Sequence, residues 1–178
     1  MKLLVTGGYG FIGSTFVTKA LKAGHSITLI DKLTYASDFE NISEVDKAKI
    51  DFHKIDISDR TAIQSIFNKS GNFDYVINFA AESHVDKSIR NPEPFVKSNI
   101  LGVVNLLEAL KNAHETKFVQ ISTDEVYGMI LNGKWKESSE INPRSSYSAS
   151  KASAEMFCKA YANTHGIKTL ITRTSNNF

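Results

Sequence analysis

The feature that most constrains this chain is a glycine turn close to its start. Residues Lys2–Thr6 form a short apolar run rich in Leu and Val, and Gly7-Gly8-Tyr9-Gly10-Phe11-Ile12-Gly13 follows as Gly-x-x-Gly-x-x-Gly. Residues 14–23 then place Phe16, Val17, Ala20 and Leu21 at helical spacing. The pattern predicts a strand, a tight turn and a helix. Glycines there permit a turn that side chains block and let backbone approach a pyrophosphate. They also bring helix and sheet together, with the helix N-terminus facing phosphate. A second strand at 26–30 ends at Asp31, about 20 residues on, where an acidic side chain accepts hydrogen bonds from an adenosine ribose and repels a 2′-phosphate. NAD is thereby favoured over NADP. A turn residue is the other reading of Asp31.

Strand and helix patterns continue to alternate down the chain. Further strands are expected at 50–57, closing with Asp56-Ile57, and at 75–78, 118–121 and 169–172. A polar excursion at 32–49 holds a short helix around 39–45. A helix at 59–69 is capped by Asp59, with Ala62, Ile63 and Ile66 inward. Pro92 and Pro94 open a long helix through about Ala113, with Ile100, Val103, Val104, Leu107 and Leu110 as its apolar stripe. The helix from Tyr147 turns Ala154, Phe157, Cys158 and Tyr161 inward. No linker interrupts the pattern, and 42% hydrophobic content supports one sizeable core, so a single domain is expected.

Composition excludes some partners. The 21 basic and 19 acidic residues are mixed along the chain, which leaves no footprint for nucleic acid or an anionic membrane. A lone cysteine, Cys158, excludes an internal disulfide, suits a reducing cytoplasm and reads as a packed core thiol. No signal peptide pattern or membrane-length apolar run is present, so the reading is a soluble, cytoplasmic protein. The five histidines lack paired ligand spacing, and no metal is expected.

Two clusters carry chemistry. The strand at 118–121 runs into Ser122-Thr123-Asp124-Glu125-Val126-Tyr127-Gly128, and ligands of open α/β sheets bind where such strands end. Adjacent carboxyls can divide acid and base duties when their surroundings separate their pKa values, which suits the removal of water. The same residues also suit a turn or a helix N-cap. In Tyr147-Ser148-Ala149-Ser150-Lys151, a phenol and an ammonium lie one turn apart on a helix face. The ammonium is expected to lower the phenol's pKa and make it a base near neutral pH. A solvated pair is the alternative. Ala80 and Ala81 let backbone pass close to a dinucleotide, or pack as ordinary small residues. Trp135, in the loop at 129–143, has no assigned role.

Together, Gly7 to Gly13, Asp31, Asp56-Ile57, Ser122-Thr123 and Tyr147 to Lys151 resemble the extended short-chain dehydrogenase/reductase superfamily in its nucleotide-sugar branch. More narrowly, four stretches resemble the dTDP-glucose 4,6-dehydratase family across the whole chain: Asp31-Lys32-Leu33-Thr34-Tyr35-Ala36, Ala80-Ala81-Glu82-Ser83-His84-Val85-Asp86, Ser122 to Gly128, and Thr172-Arg173-Thr174-Ser175-Asn176-Asn177-Phe178. Thr123-Asp124-Glu125 is the most specific, because sugar epimerases sharing the glycine turn and Tyr-x-x-x-Lys usually lack the acidic pair.

The resemblance implies an α/β fold, a Rossmann-type doubly wound parallel sheet with helices on both faces. It implies NAD as cofactor and dTDP-glucose as substrate. Thr123, Asp124, Glu125, Tyr147 and Lys151 are the implied catalytic residues. Implied cofactor contacts are Gly7, Gly10, Phe11, Ile12, Gly13, Asp31, Lys32, Thr34, Asp56, Ile57, Ala80, Ala81, Ser98, Tyr147, Lys151 and Asn177. Ser83, Thr123 and Asn176 are implied substrate contacts. A homodimer through the helices near 94–113 and 147–163 is also implied. Chains of that family run to about twice this length, a size that implies a second domain. The expectation is therefore an NAD-binding domain at 1–178 that carries the catalytic residues, lacks the C-terminal substrate domain, and turns over little. Another nucleotide-sugar epimerase or dehydratase, or a non-catalytic NAD-binding module, remains as an alternative.

Overall fold

Among the described residues, six strands form one parallel sheet: β1 (Lys2–Thr6), β2 (Ser26–Asp31), β3 (Ile50–Lys54), β4 (Tyr75–Asn78), β5 (Lys117–Thr123) and β6 (Lys168–Thr174). Their order is β3-β2-β1-β4-β5-β6, with every neighbouring pair parallel. This is the computed structural model of the chain, and it describes residues 1–177; Phe178 of the C-terminal motif lies outside them. Parallel neighbours need crossovers. These contain α1 (Phe11–Lys22), α2 (Glu44–Lys47), α3 (Arg60–Ser70), α4 (Val85–Arg90), α5 (Glu93–Phe95), α6 (Gly102–Leu110) and α7 (Ser146–His165). The expected doubly wound α/β fold is the one observed.

Burial explains the strand pattern. Central β1, β2 and β4 are buried almost continuously, as strands covered on both faces must be, whereas edge strand β6 alternates half-buried and exposed residues. Leu4, Ile30, Val76 and Phe118 pack on one face against Ile63, Ile66, Leu106, Leu107 and Cys158 of α3, α6 and α7. On the other face Leu3, Val5, Ile27 and Leu29 meet Val17 and Ala20 of α1. Strand order reverses between β1 and β4, and the crevice at their carboxyl ends is the ligand position of such sheets.

The differences from the sequence expectations are local. α1 begins at Phe11, because the Ser14 amide donates to the Gly10 carbonyl at 2.9 Å and closes a first turn through the glycine motif. β3 stops at Lys54, and Asp56-Ile57 sits in a turn in which the Asp59 amide donates to the Asp56 carbonyl. The short helix near 39–45 divides into a 3-10 turn at Phe39–Asn41 and α2. The long helix is α5, a π-helical stretch at Val96–Leu101 and then α6, ending at Leu110. α4 has no counterpart in the expectation. Phe157 was expected inward but is exposed, since Ala154, Glu155 and Cys158 occupy the packed face of α7.

Candidate active site

The glycine turn builds the floor of the site. Gly7 has φ 69°, and a Cβ there would lie 2.6 Å from the Ala80 amide nitrogen. A Cβ on Gly13 would lie 2.3 Å from the Gly7 carbonyl oxygen. The end of β1, the segment after β4 and the start of α1 therefore approach too closely for side chains. The first residues of α1, Phe11, Ile12 and Gly13, line the cleft there, and a helix N-terminus is a favourable position for phosphate.

From this floor a groove runs two ways. One end is lined by Gly7, Gly10, Asp31, Lys32, Thr34, Ile57, Ala80, Ala81 and Ser98, all expected cofactor residues, together with Ala36, Ser37 and Ile55. The Asp31 carboxylate is buried and accepts from the Tyr9 amide (3.0 Å), the Leu33 amide (2.8 Å) and the Ser37 hydroxyl (2.9 Å). The turn reading of Asp31 therefore holds, since it folds the loop behind it, where Leu33 takes a left-handed φ of 58°, and Asp31 also lines the groove. Asp56 is not a lining residue. Burial pushes its carboxyl up, but hydrogen bonds from Ser58 and the charges of Lys32 and Lys97 outweigh that and hold it low.

The other end widens into a cleft of about 390 Å³, within the size range of small-molecule sites. It gathers Phe11, Ile12, Gly13, Ala81, Ser83, Thr123, Glu125, Tyr147, Lys151, Asn176 and Asn177, every one of them expected. Gly7, Gly10, Ala36, Phe79 and Ala81 line both ends, so the groove is continuous. Asp124 is the exception among the catalytic candidates. It is half-buried outside the lining, and its Oδ1 accepts from the Thr123 hydroxyl at 3.3 Å. The capping reading also has substance, because Thr123 Oγ1 accepts from the Glu125 amide at the start of the 3-10 turn Asp124–Tyr127.

The electrostatics differ from the expectation for Tyr147. Burial raises the phenol's pKa, the Glu125 and Asp124 charges raise it further, and a hydrogen bond with Thr123 works the other way. Lys151 is not what sets it. Its Nζ donates to the Ile121 carbonyl at 2.5 Å, and burial lowers the ammonium to about 8 against the opposing charge of Glu155. The Tyr-x-x-x-Lys pair is thus buried, with the phenol under the influence of the Glu125 and Asp124 charges, and is not a solvated helix surface. Burial, followed by the Asp124 charge, raises Glu125. Burial pushes the Cys158 thiol up to about 12, as fits a packed core group.

Sequence reasoning missed the support behind this cleft. Glu155 is fully buried, accepts from the Ser122 hydroxyl at 2.6 Å, and takes both Nε and Nη2 of Arg173, the latter at 2.5 Å. Arg173 also donates to the Tyr127 hydroxyl at 2.6 Å, and Trp135 stacks on the Tyr127 ring. The available signal was spacing, since Tyr147, Lys151 and Glu155 follow one another at four-residue steps on α7. Among the described residues, no group of three His, Cys, Asp or Glu side chains is placed to hold a metal ion.

Sheet order, glycine cradle and groove define an extended short-chain dehydrogenase/reductase of the nucleotide-sugar kind, similar to dTDP-glucose 4,6-dehydratases. The chain belongs to the GDP-mannose 4,6 dehydratase family, whose family model matches residues 4–178. It is 46% identical over 180 residues to the low-salt glycan biosynthesis protein Agl12 of Haloferax volcanii, covering 100% of this chain and 57% of the relative. It is 43% identical to the dTDP-glucose 4,6-dehydratase of Streptomyces antibioticus, covering 100% of this chain and 54% of the relative. The crystal structure of DesIV, a dTDP-glucose 4,6-dehydratase from Streptomyces venezuelae with NAD bound, superposes with a TM-score of 0.93 at 40% identity, over 100% of this chain and 56% of that one. The chain spans about half the length of the curated relatives it matches.

Proposed function

We propose that residues 1–178 are the NAD-binding domain, carrying the catalytic residues, of a dTDP-glucose 4,6-dehydratase that forms the 4-keto-6-deoxy sugar and water. The observation that carries this reading is the meeting of Thr123, Glu125 and Tyr147 around one cleft, continuous with a groove that ends at Asp31. The cradle at Gly7 and Gly13, which a Cβ would fill, fits a pyrophosphate, and Asp31, Lys32, Thr34 and Ser98 fit an adenosine. Asp56, Ile57, Ala80, Ala81, Phe11, Ile12, Gly10 and Asn177 complete the proposed cofactor contacts.

NAD held in the groove would supply a hydride acceptor for C4 of the sugar and a hydride donor for C6. Tyr147 takes the proton of the 4-hydroxyl, and Thr123 hydrogen-bonds the 4-oxygen. The 4-ketone acidifies the C5 proton, which Glu125 removes as the carboxylate. Asp124 protonates the departing 6-hydroxyl. It acts in its protonated form, and its place in the turn Asp124–Tyr127 directly before Glu125 supports a position near the same sugar. Lys151, anchored on Ile121, lines the same cleft as the phenol. Ser83 and Asn176 contact the sugar.

Mass spectrometry of the copurifying nucleotide and product analysis with dTDP-glucose test the reading. NAD and a 4-keto-6-deoxy product are expected, whereas a C4 epimer would favour an epimerase and no reaction beside bound NAD a non-catalytic module. Assayed as 178 residues alone, the chain is expected to bind NAD with slow turnover. Its relatives have nearly as many residues again, and binding energy remote from the reacting carbon helps position a substrate. Full dehydratase rates would refute that expectation. A homodimer through α5, α6 and α7 belongs to the same reading, as does a cytoplasmic location; among the described residues no helix is long and apolar enough to cross a membrane.

A further inference from the structure

Asp31 and Lys32 are adjacent and line the same end of the groove, yet they favour different nucleotides. A carboxylate there repels a 2′-phosphate, while a cation there attracts one. Lys32 Nζ lies 3.1 Å from Glu82 Oε1 and 3.9 Å from Asp56 Oδ2, so two carboxylates already share its charge. The Tyr35 hydroxyl donates to the other Glu82 oxygen at 3.4 Å.

Glu82 is itself held in place. Its amide donates to Asn99 Oδ1 at 2.8 Å, and its carbonyl accepts from Asn99 Nδ2 at 2.9 Å. Asn99 is buried and also donates to the Ser150 hydroxyl on α7 at 2.9 Å. The Glu82 side chain is only 14% exposed, so its pull on Lys32 is weakly screened. The neighbouring cations are engaged elsewhere: Lys97 acts on Asp56, and Lys87 stands 3.4 Å over the Tyr35 ring.

We propose that Glu82 is a specificity-determining residue, which makes the groove reject a 2′-phosphorylated dinucleotide by engaging the Lys32 ammonium that would otherwise pair with the 2′-phosphate. The proposal rests on the dinucleotide reading of the groove. Calorimetric titration of the nucleotide-free chain with NAD and with NADP tests it, with thermal melts to verify folding. Glu82→Gln releases Lys32 and is expected to tighten NADP binding about tenfold while NAD changes by less than about twofold. Glu82→Ala, which removes the same carboxylate, is expected to give a similar gain and serves if Glu82→Gln does not fold. Adding Lys32→Met to Glu82→Gln is expected to remove the gain. An unchanged NADP affinity, a parallel loss for both nucleotides, or a gain that survives without Lys32 overturns the proposal. A native chain that binds neither nucleotide overturns the groove assignment itself, an outcome separable from the others.

Discussion

Lys151 pays a stability penalty for its position. Burial holds its ammonium at about 8, against an ordinary value of 10.5. The contribution of the neutral amine is complete above 10.5 and lost as pH falls through about 8, so near pH 7 the buried charge weakens the fold. Lys151→Met is accordingly expected to stabilise the chain at pH 7 by roughly 1–3 kcal/mol. The Ile121 carbonyl keeps a donor, because Gln120 Nε2 also reaches it at 3.1 Å. Thermal melts of both proteins should show the gap narrowing as pH rises from 8 to 10.5; a variant less stable at pH 7 counts against this account. Tyr147 gives a second expectation. Glu125→Gln removes the larger of two charges that raise the phenol, so the ultraviolet titration of Tyr147 should move to lower pH, and an unmoved curve would separate the two side chains.

α7 is the element that converts packing into a site, because the face presenting Tyr147 and Lys151 continues into Glu155. Through Glu155 the helix is tied to Ser122 of β5 and Arg173 of β6. A buried ion pair is costly to break from one side, since the remaining charge has no partner. Arg173→Met is expected to destabilise by about 3–5 kcal/mol in denaturant unfolding, and the double change with Glu155→Met to recover most of the loss. Equal instability in single and double variants would show that the pairing is not the cause. The sequence made the helix legible, because Tyr147, Lys151, Ala154 and Cys158 keep helical spacing. It did not show that Glu155 and Arg173 meet, since they lie on different elements. The same limit explains other differences: α4 and the turn at Asp56-Ile57 are too short for periodicity, while β1, β2 and β4 were readable as continuous buried runs. The Tyr147 pKa depended on which groups surround the phenol in space, and spacing along one helix could not supply that.

At the scale of the whole molecule, the unexpected exposure of Phe157 bears on assembly. Phe157 is 39% exposed beside Met156 at 44%, and Val96 at 52% and Leu101 at 46% are exposed on the π-helical stretch that packs next to α7. A helix of this chain loses nothing in its own core by turning Phe157 outward, because Ala154, Glu155 and Cys158 already fill the face toward the sheet. Large apolar side chains left outside two neighbouring helices fit burial against a second copy, and a two-fold arrangement would bury both sets at once. Sedimentation at micromolar concentration should therefore give a dimer. Met156→Lys with Phe157→Lys should shift it to monomer with little change in NAD affinity, because neither residue lines the groove. A native chain that sediments as a monomer, or a doubly charged variant that stays dimeric, would move the interface away from α7.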